Sequence, residues 1–221
     1  MTYSKGDIIT KTVSFVRSKS EGESSGHDWW HIYRVHRMAK YLAIAEKADN
    51  FIVELAALLH DLDDWKFNHD GSNNAAEWLQ KSGLDQRLIM KVMEVIEQVS
   101  FKGAGQDTHA ETIEAQVVQD ADRLDAIGAI GVARAFAYGG YKHRELYRPD
   151  VLPVLHNDFE AYRNNQSHTI NHFYEKLLLL RDRMNTATAK KLAGKRHQFL
   201  EFFLSEFYEE WNFPADTVDQ K

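Results

Sequence analysis

The segment 51–61 constrains this chain more than any other part of the sequence. It is apolar apart from Glu54 until it ends in His60 and Asp61. Its length and apolar density predict a buried helix. An imidazole and a carboxylate at the end of such a helix are costly unless partners compensate for their lost hydration. A divalent metal ion would pair with both side chains at once.

Two more residues extend this pair into an ordered set. His31 lies in the first turn of a helix predicted to begin near Asp28, and Asp122 lies in a second apolar segment. Two histidines and two aspartates supply mixed nitrogen and oxygen ligands, which suit Mn²⁺, Co²⁺, Ni²⁺, Fe²⁺ or Zn²⁺ better than Mg²⁺. Taken singly, His60 is interpreted as a core histidine and each aspartate as a helix cap. Taken together, the four residues favour a metal site.

The same residues resemble the HD superfamily of metal-dependent phosphohydrolases. Segments 31–35, 57–61 and 120–129 carry the resemblance, which covers residues 27–150. It implies that His31, His60, Asp61 and Asp122 bind the metal. We expect a single HD domain over residues 1–221, with a core at 27–150 and a C-terminal helical extension at 151–221.

The composition predicts an all-α fold. The chain has three prolines and twelve glycines in 221 residues, and residues with high helix propensity are plentiful. We expect a bundle of roughly eight to ten helices. Apolar periodicity and turn residues place them at 7–18, from Asp28 onward, 50–62, 72–82, 85–99, 108–138, 158–184 and 186–212. The pair Gly139-Gly140 is predicted to end the longest of these, and 139–157 to be irregular.

Composition also excludes several classes of protein. There is no cysteine, so disulfides and cysteine-based zinc sites are excluded. No run of apolar residues is long enough to predict a membrane span. A net charge of −6 argues against general nucleic-acid binding. The N-terminal residues lack the apolar segment of a signal peptide, and a cytoplasmic location is expected.

A candidate for proton transfer follows the His-Asp pair. Asp64 lies three residues after Asp61, and phosphohydrolases of the resembled family often carry an acidic residue there. Such a residue handles the proton of the attacking water and must reach it by a hydrogen bond. Asp63 is the neighbouring competitor. The alternative is that both belong to a solvated, acidic helix end.

Phosphate substrates require cations, and three residues near the ligands are candidates for binding them. Lys66 follows the His-Asp pair, His27 precedes the first ligand at the mouth of any pocket, and Arg34 lies one turn beyond His31. Arg34 has an alternative role as the ion-pair partner of Asp125 or Asp61. Asp125, one turn beyond Asp122, is expected to orient a histidine ligand from outside the metal's own ligand set, or simply to pair with Arg34.

The segment 138–147 combines glycines, tyrosines and cations directly after the helix that carries Asp122. Lys142, His143 and Arg144 are its candidate substrate-binding residues. Two interpretations stay open: a lid or specificity loop, and an ordinary charged surface loop. Further along the chain, the aromatic stretch 199–211 is expected to pack between helices or to form a homodimer face.

The resemblance also bears on metal number and substrate. Relatives with two metals add a pair of histidines before the final aspartate, where this chain has only His69 and His109. His69 follows Asp61 too closely for a helix-borne ligand, so one divalent metal is expected. The implied substrate is a small phosphate ester, in particular a nucleotide, with a triphosphate losing pyrophosphate as the narrower expectation. The alternatives are a non-catalytic nucleotide sensor and a two-metal oxygenase.

Overall fold

The described secondary structure is helical throughout. The structure is a computed structural model and describes residues 4–20, 28–63, 73–99, 109–155 and 167–213. Within these ranges there is no strand, which confirms the all-α prediction. The helices are α1 (Lys5–Lys19), α2 (Trp29–Glu46), α3 (Asn50–Leu59), α4 (Asn74–Lys81), α5 (Gln86–Val99), α6 (Ile113–Asp125), α7 (Gly128–Tyr141), α8 (Thr169–Glu175), a 3₁₀ helix (Leu177–Arg183) and α9 (Ala187–Trp211). None of the described helices has the length and hydropathy that crossing a membrane requires.

Helix α3 lies at the centre of the core. Every residue from Phe51 to Leu59 is buried, and α1, α2, α5 and α6 pack around the helix. Each fully buried leucine contributes about 1.5–3 kcal/mol relative to an exposed one. The helix ends at Leu59, earlier than predicted, and His60 and Asp61 lie in the turn that follows. The buried helix therefore fixes where the His-Asp pair stands.

Helix α2 places His31 at one end of the same core. The Asp28 carboxylate caps the helix by accepting a hydrogen bond of 2.9 Å from the His31 amide. Val35, Ala39 and Leu42 form the buried stripe of α2, which packs against α3 and α6. Because His31 belongs to the first turn and to the buried face, its ring points into the protein.

The predicted helix 108–138 is wrong, because the structure divides it. Helix α6 ends at Asp125, and α7 begins at Gly128. Gly128 has φ +78°, a left-handed conformation that glycine adopts without the strain of a Cβ atom. Gly139 and Gly140 do not end α7, which continues to Tyr141. Gly139 instead leaves room for the Thr169 side chain of α8.

The C-terminal part differs from the prediction in one of its two helices. The helix expected at 158–184 is a short α8 followed by the 3₁₀ helix, and residues 156–166 lie outside the described ranges. The helix expected at 186–212 is confirmed as α9, which packs on α2, α6 and α7. Thr186 caps α9 by accepting a hydrogen bond from the Ala189 amide.

Candidate metal centre

Four side chains converge from α2, the turn after α3, and α6. His31 Nε2 lies 3.2 Å from Asp61 Oδ2 and 3.5 Å from Asp122 Oδ1. His60 Nε2 lies 3.4 Å from Asp61 Oδ1 and 4.0 Å from Asp122 Oδ1. One atom each of His31, His60 and Asp122 lies within 4.8 Å of the others, and the Asp61 carboxylate spans the two imidazoles. The sequence-predicted ligands therefore lie together.

Both histidines are held through Nδ1. His31 Nδ1 lies 2.8 Å from Asp125 Oδ2, and His60 Nδ1 lies 2.9 Å from the Ala57 carbonyl oxygen. Because both partners are acceptors, each Nδ1 carries the proton and donates it. In the neutral imidazole Nε2 then presents its lone pair toward the shared carboxylates.

The donor set fits a divalent cation. His60 Nε2 is buried and has no hydrogen-bond partner within the described ranges. A buried polar atom of this kind is costly unless something occupies it. A metal ion would satisfy this nitrogen and neutralise Asp61 and Asp122 together. The mixed nitrogen and oxygen ligands match the coordination of first-row transition metals.

Asp125 supports the centre from behind His31. Its Oδ1 accepts a hydrogen bond of 2.7 Å from Arg34 Nε. Its Oδ2 accepts bonds of 3.0 Å from Arg34 Nη2 and 2.8 Å from Arg134 Nη1, as well as the bond from His31. Burial raises the pKa of Asp125, but hydrogen bonds from His31 and Arg34 outweigh it and hold the pKa well below its ordinary range. The carboxylate is therefore ionised and fixed in orientation.

The same contacts change the pKa of His31. Burial lowers it, but hydrogen bonds to Asp125 and Asp61 outweigh burial and raise the pKa to about 9. The carboxylates that attract a proton to Nε2 also attract a divalent cation. Proton and metal therefore compete for this nitrogen, as they do at metal sites in general.

Asp63 contacts the start of α4. Its Oδ1 accepts hydrogen bonds from the Asn74 amide at 2.9 Å and from Asn74 Nδ2 at 3.0 Å. Its Oδ2 accepts a bond of 2.9 Å from the Ala75 amide. Asp63 thus satisfies two amides at the start of α4. Asp64, Lys66 and His27 lie outside the described residues.

The other candidate cations lie in two places. Arg34 forms the ion pair with Asp125 that was one of its two predicted roles. Lys142 Nζ lies 5.3 Å from the centroid of the Tyr141 ring, and the Arg144 guanidinium lies 5.8 Å from that of Tyr138. Because α7 rises 1.5 Å per residue, residue 142 lies roughly 12 Å along the helix axis from Arg134, the residue of α7 that contacts Asp125.

The segment around His143 is joined to α8 and α9. His143 has φ +54° in the turn after α7. The amide of Thr169 donates to the Glu145 carbonyl at 2.9 Å. The Tyr147 ring contacts the rings of His168, Phe207, Tyr208 and Trp211. These contacts hold the segment against the C-terminal helices, and its substrate-binding role stays a prediction.

Sequence reasoning missed Arg134 and Arg196. Arg134 reaches Asp125 from α7, and the Arg196 guanidinium donates to the Leu124 carbonyl from α9. Both contacts depend on the turn between α6 and α7. The signal that could have revealed them is Gly128, because glycine at a helix boundary is typical of a left-handed turn.

Comparisons with known proteins agree with this geometry. The family model of the HD domain matches residues 29–127. The uncharacterized protein YpgQ of Bacillus subtilis (strain 168) is 41% identical over 197 residues, which are 87% of this chain and 88% of YpgQ. The crystal structure of YpgQ in complex with ADP has a TM-score of 0.74 at 38% identity and covers 94% of this chain and 98% of that one.

Two further solved structures are similar. An HD-superfamily hydrolase from Bacillus thuringiensis has a TM-score of 0.75 at 42% identity, over 95% of this chain and all of that one (100%). A protein from Lactobacillus plantarum has a TM-score of 0.85 at 36% identity, over 93% of this chain and 97% of that one. The similarity therefore extends beyond the ligand segments to the C-terminal helices.

Proposed function

The chain belongs to the HD superfamily, and from this premise we propose that it is a metal-dependent phosphohydrolase that acts on nucleotides. One observation carries the proposal. Two imidazoles, each held through Nδ1, present Nε2 to the same pair of carboxylates, Asp61 and Asp122. A site built only for stability would give the buried His60 Nε2 a hydrogen-bond partner from the protein, and this atom has none within the described ranges.

His31, His60, Asp61 and Asp122 would hold one divalent transition metal. Bound there, the metal would polarise a phosphoryl oxygen and lower the pKa of a water molecule. Asp61 spans the two histidines and is the most enclosed carboxylate of the set, whereas the Asp122 side chain is 32% exposed. The open side at Asp122 is where substrate and water would enter. Asp125 keeps His31 in the tautomer that a ligand needs.

The proton of the attacking water is assigned to Asp64. The assignment rests on its position three residues after Asp61. It also rests on the neighbouring Asp63, whose carboxylate already accepts hydrogen bonds from amides at the start of α4. Arg34, Lys66, His27, Lys142, His143 and Arg144 are proposed to bind substrate phosphates. For Arg34 this role would be shared with the ion pair to Asp125.

The proposal of a nucleotide substrate is supported by a similar protein. YpgQ has been crystallised with ADP, and its sequence is 41% identical to this chain. Within nucleotides, a triphosphate that loses pyrophosphate is the narrower proposal, and it comes from the family resemblance.

A hydrolysis screen tests the proposal. Purified protein is incubated with Mn²⁺, Co²⁺ or Mg²⁺ and a panel of nucleoside mono-, di- and triphosphates, and phosphate and pyrophosphate release are measured. We expect turnover with Mn²⁺ or Co²⁺ and none in excess chelator. Asp61→Asn should lose metal and turnover together, whereas Asp63→Asn should keep both. Tight nucleotide binding with no turnover under any metal would instead identify the chain as a sensor.

A further inference from the structure

A cavity lies beside Asp125, the residue that holds His31. Its volume is about 420 Å³, within the range of small-molecule sites. Side chains of α2, α6, α7 and α9 line it, and it is partly open to solvent. None of the four proposed metal ligands lines it; Asp125 does. Asp125, which contacts His31 at Nδ1 and not at Nε2, therefore belongs both to the cavity wall and to the support of a proposed ligand.

Two arginines of this cavity donate hydrogen bonds to uncharged oxygens. Arg37 donates from Nη1 to the Tyr33 hydroxyl at 3.1 Å, and Arg196 donates to the Leu124 carbonyl. Within the described ranges no carboxylate lies at ion-pair distance from either. Arg34, by contrast, is paired with Asp125, whose charge is also matched by Arg134. The charged side chains that line the cavity therefore carry a net positive charge.

The remaining walls are aromatic and aliphatic. Tyr33 and Tyr41 line the cavity from α2 and expose their rings, and Ile130 from α7 is 45% exposed. Leu192 contributes an apolar side chain from α9. Flat rings and apolar side chains accept an aromatic group, and arginines bind phosphate or carboxylate with paired hydrogen bonds.

We propose that this cavity binds an organic anion with an aromatic ring, its phosphate or carboxylate at Arg37 and Arg196 and its ring against Tyr33 and Tyr41. The site is separate from the metal centre and does not depend on the hydrolase activity. Its ligand would lie beside Arg34 and Asp125, the pair that holds His31. ADP has the required chemistry and serves as the probe.

The test is calorimetric titration of ADP in buffer containing EDTA, so that no metal can hold the nucleotide. The wild-type protein is compared with Arg37→Met, which removes one cation, and Ile130→Glu, which adds a carboxylate at the exposed rim. We expect binding to the wild type and a roughly ten-fold or greater loss of affinity in both variants, because Arg37→Met removes a charge-assisted hydrogen bond and Ile130→Glu places a like charge beside the anion. Adenosine should bind at least ten-fold more weakly than ADP.

Two control variants separate this cavity from other sites. Lys195→Met removes a cation from α9 that does not line the cavity, and Asp61→Asn alters the metal centre. Both should bind ADP in EDTA as the wild type does. The proposal is overturned if the wild type does not bind, if Arg37→Met and Ile130→Glu bind equally well, or if Asp61→Asn abolishes binding. Melting curves of each variant verify folding.

The outcome is independent of the proposed hydrolase function. If no nucleotide is hydrolysed with any metal but the binding pattern holds, the cavity is a ligand site and the hydrolase proposal fails. If nucleotides are hydrolysed but Arg37→Met and Ile130→Glu bind ADP as the wild type does in EDTA, only the cavity proposal fails.

Discussion

Two regions on α6 each contain a buried aspartate, and they use it differently. The Asp120 region joins α6 to the start of α9: Asp120 Oδ1 accepts from the Asn185 amide at 2.8 Å, and Oδ2 accepts from the amide and the hydroxyl of Thr186 at 2.8 Å each. The Asp125 region joins α6 to α2 and α7 through Arg34, Arg134 and His31. Both carboxylates are well supplied with hydrogen bonds.

The difference lies in the partners. The donors to Asp120 are neutral, and burial raises the pKa of Asp120 above its ordinary value despite these bonds. The donors to Asp125 include two guanidinium groups and an imidazole, and its pKa is held low. The contacts of Asp120 link α6 to the start of α9. The contacts of Asp125 instead lead through His31 to Asp61 and Asp122. A chain of contacts that leads to the candidate metal ligands marks a functional carboxylate better than burial does.

The largest expected effect contrasts two adjacent carboxylates, Asp64 and Asp63. Asp64→Asn should retain metal and lose about two to four orders of magnitude in kcat, the range for general acid–base groups. Asp63→Asn should keep its activity and lose about 1–2 kcal/mol of unfolding free energy, because it supports the start of α4. Kinetics and denaturant melts measure both. An inactive Asp63→Asn beside a fully active Asp64→Asn would reverse the assignment.

The second prediction compares an Asp→Asn substitution in each of the two α6 regions. Asp125→Asn should weaken metal binding about 10–100-fold, because residues that orient a histidine ligand have effects of this size. Asp120→Asn should leave metal affinity unchanged and cost about 1–3 kcal/mol of stability, because its new amide group faces donors from Asn185 and Thr186. Metal titration and urea melts check the pair. Equal effects on metal affinity would remove the distinction between the regions.

The third prediction concerns the metal itself. Mn²⁺ at about 100 times its dissociation constant should stabilise the protein by about 2.7 kcal/mol, which raises Tm by roughly 5–10 °C for a chain of this size. Removing the metal with EDTA should reverse the shift. Asp125→Asn should reduce the shift at fixed Mn²⁺, while Asp120→Asn should lower Tm with and without metal by the same amount. Scanning calorimetry distinguishes the two patterns.

The two regions also differ in how far the sequence predicts them. The resemblance of the order His31, His60-Asp61 and Asp122 to the HD superfamily predicts which residues converge, and the four side chains do lie together. The sequence also predicts Asp125 near a histidine, because it lies one helical turn from Asp122 on the same helix face. Asp120 was not assigned a position, because its partners at Asn185 and Thr186 are distant in sequence. Contacts of this kind depend on tertiary packing that no local pattern encodes.

The turn between α6 and α7 illustrates the same limit. Apolar and small residues recur through it at helical spacing, so periodicity predicts one helix where the structure has two. The extended backbone at Ile127 and the positive φ of Gly128 break the helix. Arg134 reaches Asp125 because of this break. The prediction of one continuous helix therefore hides the contact between Arg134 and Asp125.

The smallest expected effect tests that turn with two glycines of α7. Gly128→Ala should destabilise the protein by about 1–2 kcal/mol, the cost of a left-handed conformation for a residue with a Cβ atom. The added atom would also lie 3.0 Å from Arg196 Cγ. Gly140→Ala should instead stabilise it by up to about 0.5–1 kcal/mol, because Gly140 is helical and has open space around it. Urea melts of both variants give the signs. If Gly128→Ala is neutral, α6 and α7 do not depend on a left-handed residue, and the Asp125 region keeps Arg134 by packing alone.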